Sequence, residues 1–224
     1  MSFYKITQFS CDIPAGEVLS HMGMPQGASG GENEILLETE QELLKYKSKF
    51  LEYVEPLALL ASGKIEPAGR EIPVAACVTT LGKRMEQWIS QLYEGGEVFA
   101  AMVMDAASDV YLFHMQKELS LGLSLLCSEL HAGIEGRILI PEELPIKVQE
   151  QIAVMTHAEE HGITLNEAYM FSPLKTLSIL FRLGKEGSFC IGHDCSRCAK
   201  KGCPGKHKLY GKDGKEKTGC RKRE

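Results

Sequence analysis

Residues 174–183 read LKTLSILFRL, and this stretch determines the fold class more than any other part of the chain. Large apolar side chains at every second position share one face, and these are Leu177, Ile179, Phe181 and Leu183. Polar side chains at Thr176, Ser178 and Arg182 lie on the other face. Alternation with a period of two is typical of a β-strand that is covered on one side. The stretch therefore predicts a half-buried strand with other elements packed against its apolar face.

Outward from this strand, helical and extended patterns follow one another without regular β-α-β alternation. Further strands are predicted at residues 3–8, 72–80, 136–140 and 163–171, and helices at 34–60, 83–93, 97–130 and 147–162. The stretch 97–130 has apolar residues on several faces, which indicates a central helix that Gly122 is expected to interrupt. This order predicts an α+β fold with an antiparallel or mixed sheet and packed helices.

Charge and cysteine content divide the chain into a body, residues 1–184, and a tail, residues 185–224. The tail holds 12 of the 25 Lys and Arg residues, 5 of the 30 Asp and Glu residues, and five of the eight cysteines. With 44% hydrophobic residues among 224, the chain as a whole is globular rather than disordered. It shows neither a signal-peptide pattern nor a stretch of about 20 apolar residues, so we expect a cytoplasmic protein with no membrane partner.

The tail contains the spacing Cys190-x4-Cys195-x2-Cys198-x4-Cys203, followed by Pro204. Thiolate is the preferred ligand of zinc and of iron–sulfur clusters, and Cys-x2-Cys presents two sulfurs to one metal. The leading Cys-x4-Cys-x2-Cys matches a ferredoxin spacing, although the fourth cysteine follows too closely for that fold. We predict a small metal-stapled tail that holds an iron–sulfur cluster or zinc, with unliganded redox-active thiols as the third alternative. Nucleic acid is not expected as a partner, because the basic residues lack interleaved aromatic side chains.

Three stretches of the body carry a resemblance to a known family. They are VAACVTTLG (74–82), EGGEVFAAMVMDAASD (94–109) and ITLNEAYMFSPLKTLSILFRLG (163–184), with a weaker fourth at EVLSHMG (17–23). Together they resemble the activation domain, which binds S-adenosylmethionine, of cobalamin-dependent methionine synthase, in its free-standing form. The resemblance implies an α+β fold with a twisted antiparallel sheet. It also implies binding of S-adenosylmethionine, so that a reduced cobalamin can be remethylated.

The resemblance assigns two residues to the S-adenosylmethionine site. Asp105 matches the aspartate of the family's Leu-Asp-Ala segment and is the acidic candidate near a cationic ligand, with a helix-packing aspartate as the alternative. Arg137 matches the arginine of the cofactor loop and would clamp a carboxylate, with a strand-end surface arginine as the alternative. The family continues this loop with Pro-Gly-Tyr, whereas Ile138 and Leu139 follow here. Lys175, in the turn after Pro173, is expected to be exposed.

Two functions are consistent with these features, and whether the chain is itself an enzyme of a methionine synthase system stays open. The first is an accessory protein of corrinoid-dependent methyl transfer. It would support reductive methylation of a cobalamin held by a corrinoid-carrying protein or by a methionine synthase core, since the chain contains no Asp-x-His-x-x-Gly segment. The second is a non-enzymatic binding protein that has the same fold, has lost the ligand site and uses a zinc-stapled tail for docking.

Overall fold

The computed structural model describes residues 2–10, 12–24 and 30–191. Helices in this part of the chain are α1 (Ala15–His21), α2 (Gly30–Tyr53), α3 (Lys83–Glu94), α4 (Val98–Glu118), α5 (Ser120–Leu130) and α6 (Val148–Met155). Strands are β1 (Phe3–Ile6), β2 (Leu57–Ile65), β3 (Ile72–Thr80), β4 (Gly133–Ile138), β5 (Thr164–Leu165), β6 (Phe171–Ser172) and β7 (Thr176–Gly184).

Five of these strands form one sheet in the order β1-β2-β3-β7-β4, and every neighbouring pair is antiparallel. The middle strand, β3, pairs along most of its length with both β2 and β7. The two short strands β5 and β6 form a separate antiparallel ribbon. An antiparallel sheet packed with helices confirms the α+β class that the sequence predicts.

The apolar face of β7 packs beneath α5, as the sequence predicts. Ile179, Phe181 and Leu183 belong to one buried cluster with Leu123 and Leu126 of α5. The helical segment breaks at Leu119 and not at Gly122, where α5 approaches the sheet closely. A β-carbon at Gly122 would lie 3.2 Å from Ile6 Cδ1 and 3.4 Å from Leu60 Cδ2.

The opposite face of the sheet is also covered, because α6 lies across it. Val148, Ile152 and Met155 of this helix are buried with residues such as Val78 and Leu180 of the sheet. The prediction that β7 is covered on one side only is therefore wrong: Leu180 is fully buried on the face that carries the polar residues. A third apolar cluster joins α1, α2, α3 and α4 beside the sheet.

Strand β2 is a feature that the sequence pattern did not predict. The helical pattern from residue 34 was expected to continue to about residue 60, but α2 ends at Tyr53 and β2 begins at Leu57, directly after Pro56. Residues 58–62 of β2 are all buried. A strand covered on both faces shows no alternation, so its apolar run resembles the end of a buried helix.

The segment Val98–Leu130, which comprises α4 and α5, is by length and composition apolar enough to cross a membrane, but most of its apolar part is buried inside the fold. A buried core helix has the same length and composition, so this segment is weak evidence for a membrane span.

Candidate functional site

Lys175, the residue before β7, lies between two carboxylates of α4. Its Nζ is 2.8 Å from Asp105 Oδ1, 2.8 Å from Asp109 Oδ1 and 3.1 Å from the Asp105 backbone carbonyl. Its side chain is only 12% exposed, so the expectation of an exposed lysine is wrong. The two aspartates are four residues apart on one helix, which places both on the same face and makes them natural partners of a single cation.

Hydrogen bonds also hold the backbone around Lys175 in place. Its carbonyl accepts hydrogen bonds from the Leu81 N–H at 3.0 Å and the Thr80 hydroxyl at 3.3 Å. The preceding Leu174 N–H donates to Glu86 Oε2 of α3 at 3.0 Å. The turn before β7 is therefore tied to β3, α3 and α4 at once.

His21 extends this charged group toward α1, because its Nε2 lies 3.0 Å from Asp109 Oδ2. We name Lys175, Asp105, Asp109 and His21 the Lys175 cluster. Sequence reasoning selected only Asp105 from this set. The sequence does show two aspartates four residues apart on a largely apolar helix. Because two neighbouring carboxylates in apolar surroundings need a cation beside them, this spacing could have predicted a lysine partner.

Arg137 lies on β4, where it pairs with Phe181 of β7. Directly paired residues project to the same face, so its side chain lies on the face covered by α5, near Cys77. Among the described residues, Arg137 has no hydrogen-bond or ion-pair partner, although it is half-buried. Burial lowers the pKa of its guanidinium. Burial also raises the pKa of Cys77 to about 12, so the thiol is neutral near pH 7 and supplies no counter-charge.

Asp105 and Arg137 are not in contact in the structure. Arg137 is level with Phe181, six residues along β7 from Lys175, and this separation is about 20 Å along the strand. Asp105 already has an ammonium partner. Their joint assignment to one ligand stays a prediction, and Arg137 is the member whose charge is still unpaired within the described chain.

An open cavity of about 340 Å³ lies between α2, α4 and the segment before α1. Its buried base is formed by Phe50, Met104 and Tyr111, and neither Asp105 nor Arg137 lines it. The cavity is therefore separate from the two residues that the family resemblance selects.

The beginning of the tail runs beside β4. The Ile134 N–H donates to the Ser188 carbonyl at 2.8 Å, and the Cys190 N–H donates to the Ile134 carbonyl at 2.9 Å. Cys190 is disulfide-bonded, a form that needs reduction before it can bind metal. Cys195, Cys198 and Cys203 lie outside the described residues. Within the described chain no three metal-binding side chains come together, and the tail's metal centre stays a prediction.

No protein family and no curated protein matches the sequence. Among solved structures, the fold matches that of the MetH reactivation domain bound to AdoHcy, with a TM-score of 0.58. The match covers 81% of this chain and 78% of the other, at 9% sequence identity. At this identity the likeness establishes the fold alone. The architecture implied by the sequence resemblance is thus confirmed, while ligand and partners are not decided by it.

Proposed function

We propose that this chain binds an S-adenosylmethionine-type ligand and supports the remethylation of a cobalamin carried by a partner protein. The fold supports the proposal, since a solved structure that shares it is a reactivation domain bound to AdoHcy. The partner would be a corrinoid-carrying protein or a methionine synthase core. The reduced cobalt of the partner would take the methyl group as the sulfur–methyl bond of the ligand breaks, and the ligand would leave as AdoHcy.

The charge of Arg137, which has no hydrogen-bond or ion-pair partner among the described residues, is the observation that carries this proposal. A half-buried guanidinium without a counter-ion is costly, and an anion that reaches it recovers that cost. A ligand carboxylate fits the planar fork of arginine through two parallel hydrogen bonds. The neutral thiol of Cys77 leaves the positive charge available to such a ligand. In this scheme Arg137 orients the amino-acid end of the ligand. The ion pair between Asp105 and Lys175 holds the opposite end of the same face of the sheet in place.

The tail has a place in the same scheme. Remethylation requires cobalt in its reduced state, and an iron–sulfur cluster on the tail cysteines would relay one electron to the cobalt from an external low-potential reductant. Zinc in the same position would instead stabilise a docking element.

A second candidate function is a non-enzymatic binding protein that has lost the ligand site. Two observations favour it: Arg137 is followed by the buried Ile138 in place of a Pro-Gly-Tyr loop, and Asp105 is already paired with Lys175. Without a glycine the backbone cannot approach a ligand as closely, and without an aromatic ring a sulfonium loses a favourable face.

Calorimetric titration of the full chain with S-adenosylmethionine and AdoHcy separates these functions. We expect the wild-type chain to bind, and Arg137→Ala to weaken binding about ten- to hundredfold, because a charged hydrogen bond is lost. Arg182→Ala is the matched control, since Arg182 is adjacent in the sheet but pairs with Gly136 and lies 4.0 Å from Glu143. It should bind like the wild type. If neither ligand produces heat at millimolar concentration, the second function holds.

A further inference from the structure

The outer face of α2 carries a line of exposed leucines. Leu37, Leu44 and Leu51 are 54%, 75% and 61% exposed, and they are spaced seven residues apart. A seven-residue interval is close to two helical turns, so the three side chains form one stripe along the helix. The buried face of the same helix, with Tyr46 and Phe50, packs into the helical cluster. We name the exposed line the α2 stripe.

The charges along α2 are arranged with a polarity. Glu34, Glu38, Glu40 and Glu42 come before Leu43, and Lys45, Lys47 and Lys49 follow it. Glu52 near the end of the helix is the exception, and it forms an ion pair with Arg84 of α3. Glu40 and Lys47 have no ion-pair partner among the described residues, and both are exposed. They are also seven residues apart, so they flank the stripe on a common side. A helix with an acidic first half and a basic second half complements a copy of itself only when the two run antiparallel.

We propose that α2 packs antiparallel against the α2 of a second copy of this chain, with the two-fold axis at Leu44. In this arrangement Leu37 faces the second copy's Leu51, and the symmetry repeats the contact. Glu40 is then level with residue 48 of the second copy, one helical rise of about 1.5 Å from its Lys47. Two such pairs form in the dimer, as an isologous interface requires.

The cavity beside α2 supports the proposal that another protein chain binds this surface. Leu44 and Leu51 of the stripe form part of its rim, and Glu40 and Lys47 are among its charged lining residues. The cavity and the stripe are therefore one continuous surface with an apolar base. A leucine from the second copy has a hole to enter there, which is how paired helices pack.

A contact through one helix from each chain predicts a weak dimer. The 24 residues of α2 span about 36 Å, and interfaces near the lower end of the usual size range are typically transient. We expect a monomer–dimer equilibrium with a dissociation constant in the range of about 1–100 µM.

Sedimentation equilibrium of the full chain tests the proposal over this range of concentrations. The wild type should shift with concentration from 24.7 kDa toward twice that mass. Leu44→Glu places two like charges at the axis and should raise the dissociation constant by about a hundredfold or more. The exposed Leu121 on α5 provides the control, because Leu121→Glu changes an equally exposed leucine away from the stripe. Circular dichroism verifies that each variant keeps the fold.

Charge exchange tests the antiparallel orientation. Glu40→Lys alone opposes lysine to lysine, and Lys47→Glu alone opposes glutamate to glutamate, so each should weaken its own dimer roughly tenfold. A mixture of the two variants should recover wild-type association, because in the heterodimer every lysine beside the stripe of one chain meets a glutamate of the other. The double exchange in one chain should recover it as well.

Three results would overturn the proposal. The first is a wild-type chain that stays at 24.7 kDa at several hundred micromolar, about ten times a typical weak constant. The second is a dimer that Leu44→Glu leaves intact. The third is a mixture of the two charge variants that associates no better than either alone.

Discussion

Lys175 illustrates how a single charged side chain fixes the turn before β7. Its ammonium satisfies two carboxylates that would otherwise repel each other at the surface of α4, where Asp105 is 46% and Asp109 30% exposed. The side chain of Lys175 itself is mostly removed from water. Such a partly buried group with three acceptors contributes more than an exposed ion pair, because its removal leaves charged partners unsatisfied.

Replacement of Lys175 by methionine should lower the free energy of unfolding by about 1.5–3 kcal/mol, the cost of charged hydrogen bonds lost near the core. The control is Lys64→Met, because Lys64 pairs with Glu71 at the surface and both side chains are more than half exposed. That change should cost no more than about 0.5 kcal/mol. Urea unfolding followed by circular dichroism measures both. A similar small loss in the two variants would contradict a stabilising role for the Lys175 cluster.

The limits of sequence prediction at the residue scale are clear in this cluster and at Arg137. Local motifs selected Asp105 and Arg137, but the partner of Asp105 is 70 residues away in the chain. No local pattern specifies which cation a carboxylate meets across a fold. Likewise, the absence of a counter-ion at Arg137 within the described chain follows from strand pairing that brings Phe181 and Cys77 beside it, and this required the sheet order.

At the scale of elements, β4 depends on a glycine at its first position. Gly133 packs against the backbone at residues 185–188, where a β-carbon would overlap the carbonyl oxygens of Lys185 and Ser188. Backbone atoms cannot move aside as a flexible side chain can. Strand β4, which carries Arg137, can therefore lie this close to the following segment only because residue 133 has no side chain.

Gly133→Ala should destabilise the fold by about 1–3 kcal/mol, because the added methyl forces β4 away from the following segment. Gly136→Ala on the same strand is the matched control, since nothing lies within 4 Å of its β-carbon position among the described residues. It should be neutral or slightly stabilising, because alanine restricts the unfolded chain more than glycine does. Thermal unfolding compares the two, and a shared midpoint would show that β4 tolerates the displacement.

Strands with a distinctive period or a β-branched, apolar composition were predicted well, even where both faces are buried as in β3, whereas the first part of β2 was predicted as a continuation of α2. The bounds of β3 and the start of α3 agree with the sequence pattern, and β7 was found from its alternation. Strand β2 was predicted as helix because its apolar run has no alternation once α5 and α6 cover both faces. Pro56 was the remaining local signal, since the residue before a proline is biased away from helical backbone.

At the scale of the whole molecule, the body has a core of its own. Its apolar clusters, two on the faces of the sheet and one among α1, α2, α3 and α4, are built from residues 18–183. Cys190 lies beside Ile134 on the edge strand β4. Arg137 is on the same strand, three residues or about 10 Å from Ile134. A metal centre held by the tail cysteines would start from the same edge of the sheet as the proposed ligand site.

Replacement of Cys195 and Cys198 by serine should therefore remove the metal and leave the body folded. After anaerobic purification with a reductant, elemental analysis and the visible spectrum should show iron or zinc in the wild type and neither in the double variant. Cys220→Ser is the control and should keep its metal, because Cys220 stands outside the Cys190–Cys203 spacing.

Cleavage by trypsin after Lys200 and Lys201 should be slow in the wild type and fast in the double variant, since ligation orders a segment too polar to build its own core. The thermal unfolding of the body should be the same in all three chains. Equal cleavage of all three, with no bound metal, would remove the electron-relay role from the proposed function and leave ligand binding at Arg137 to stand alone.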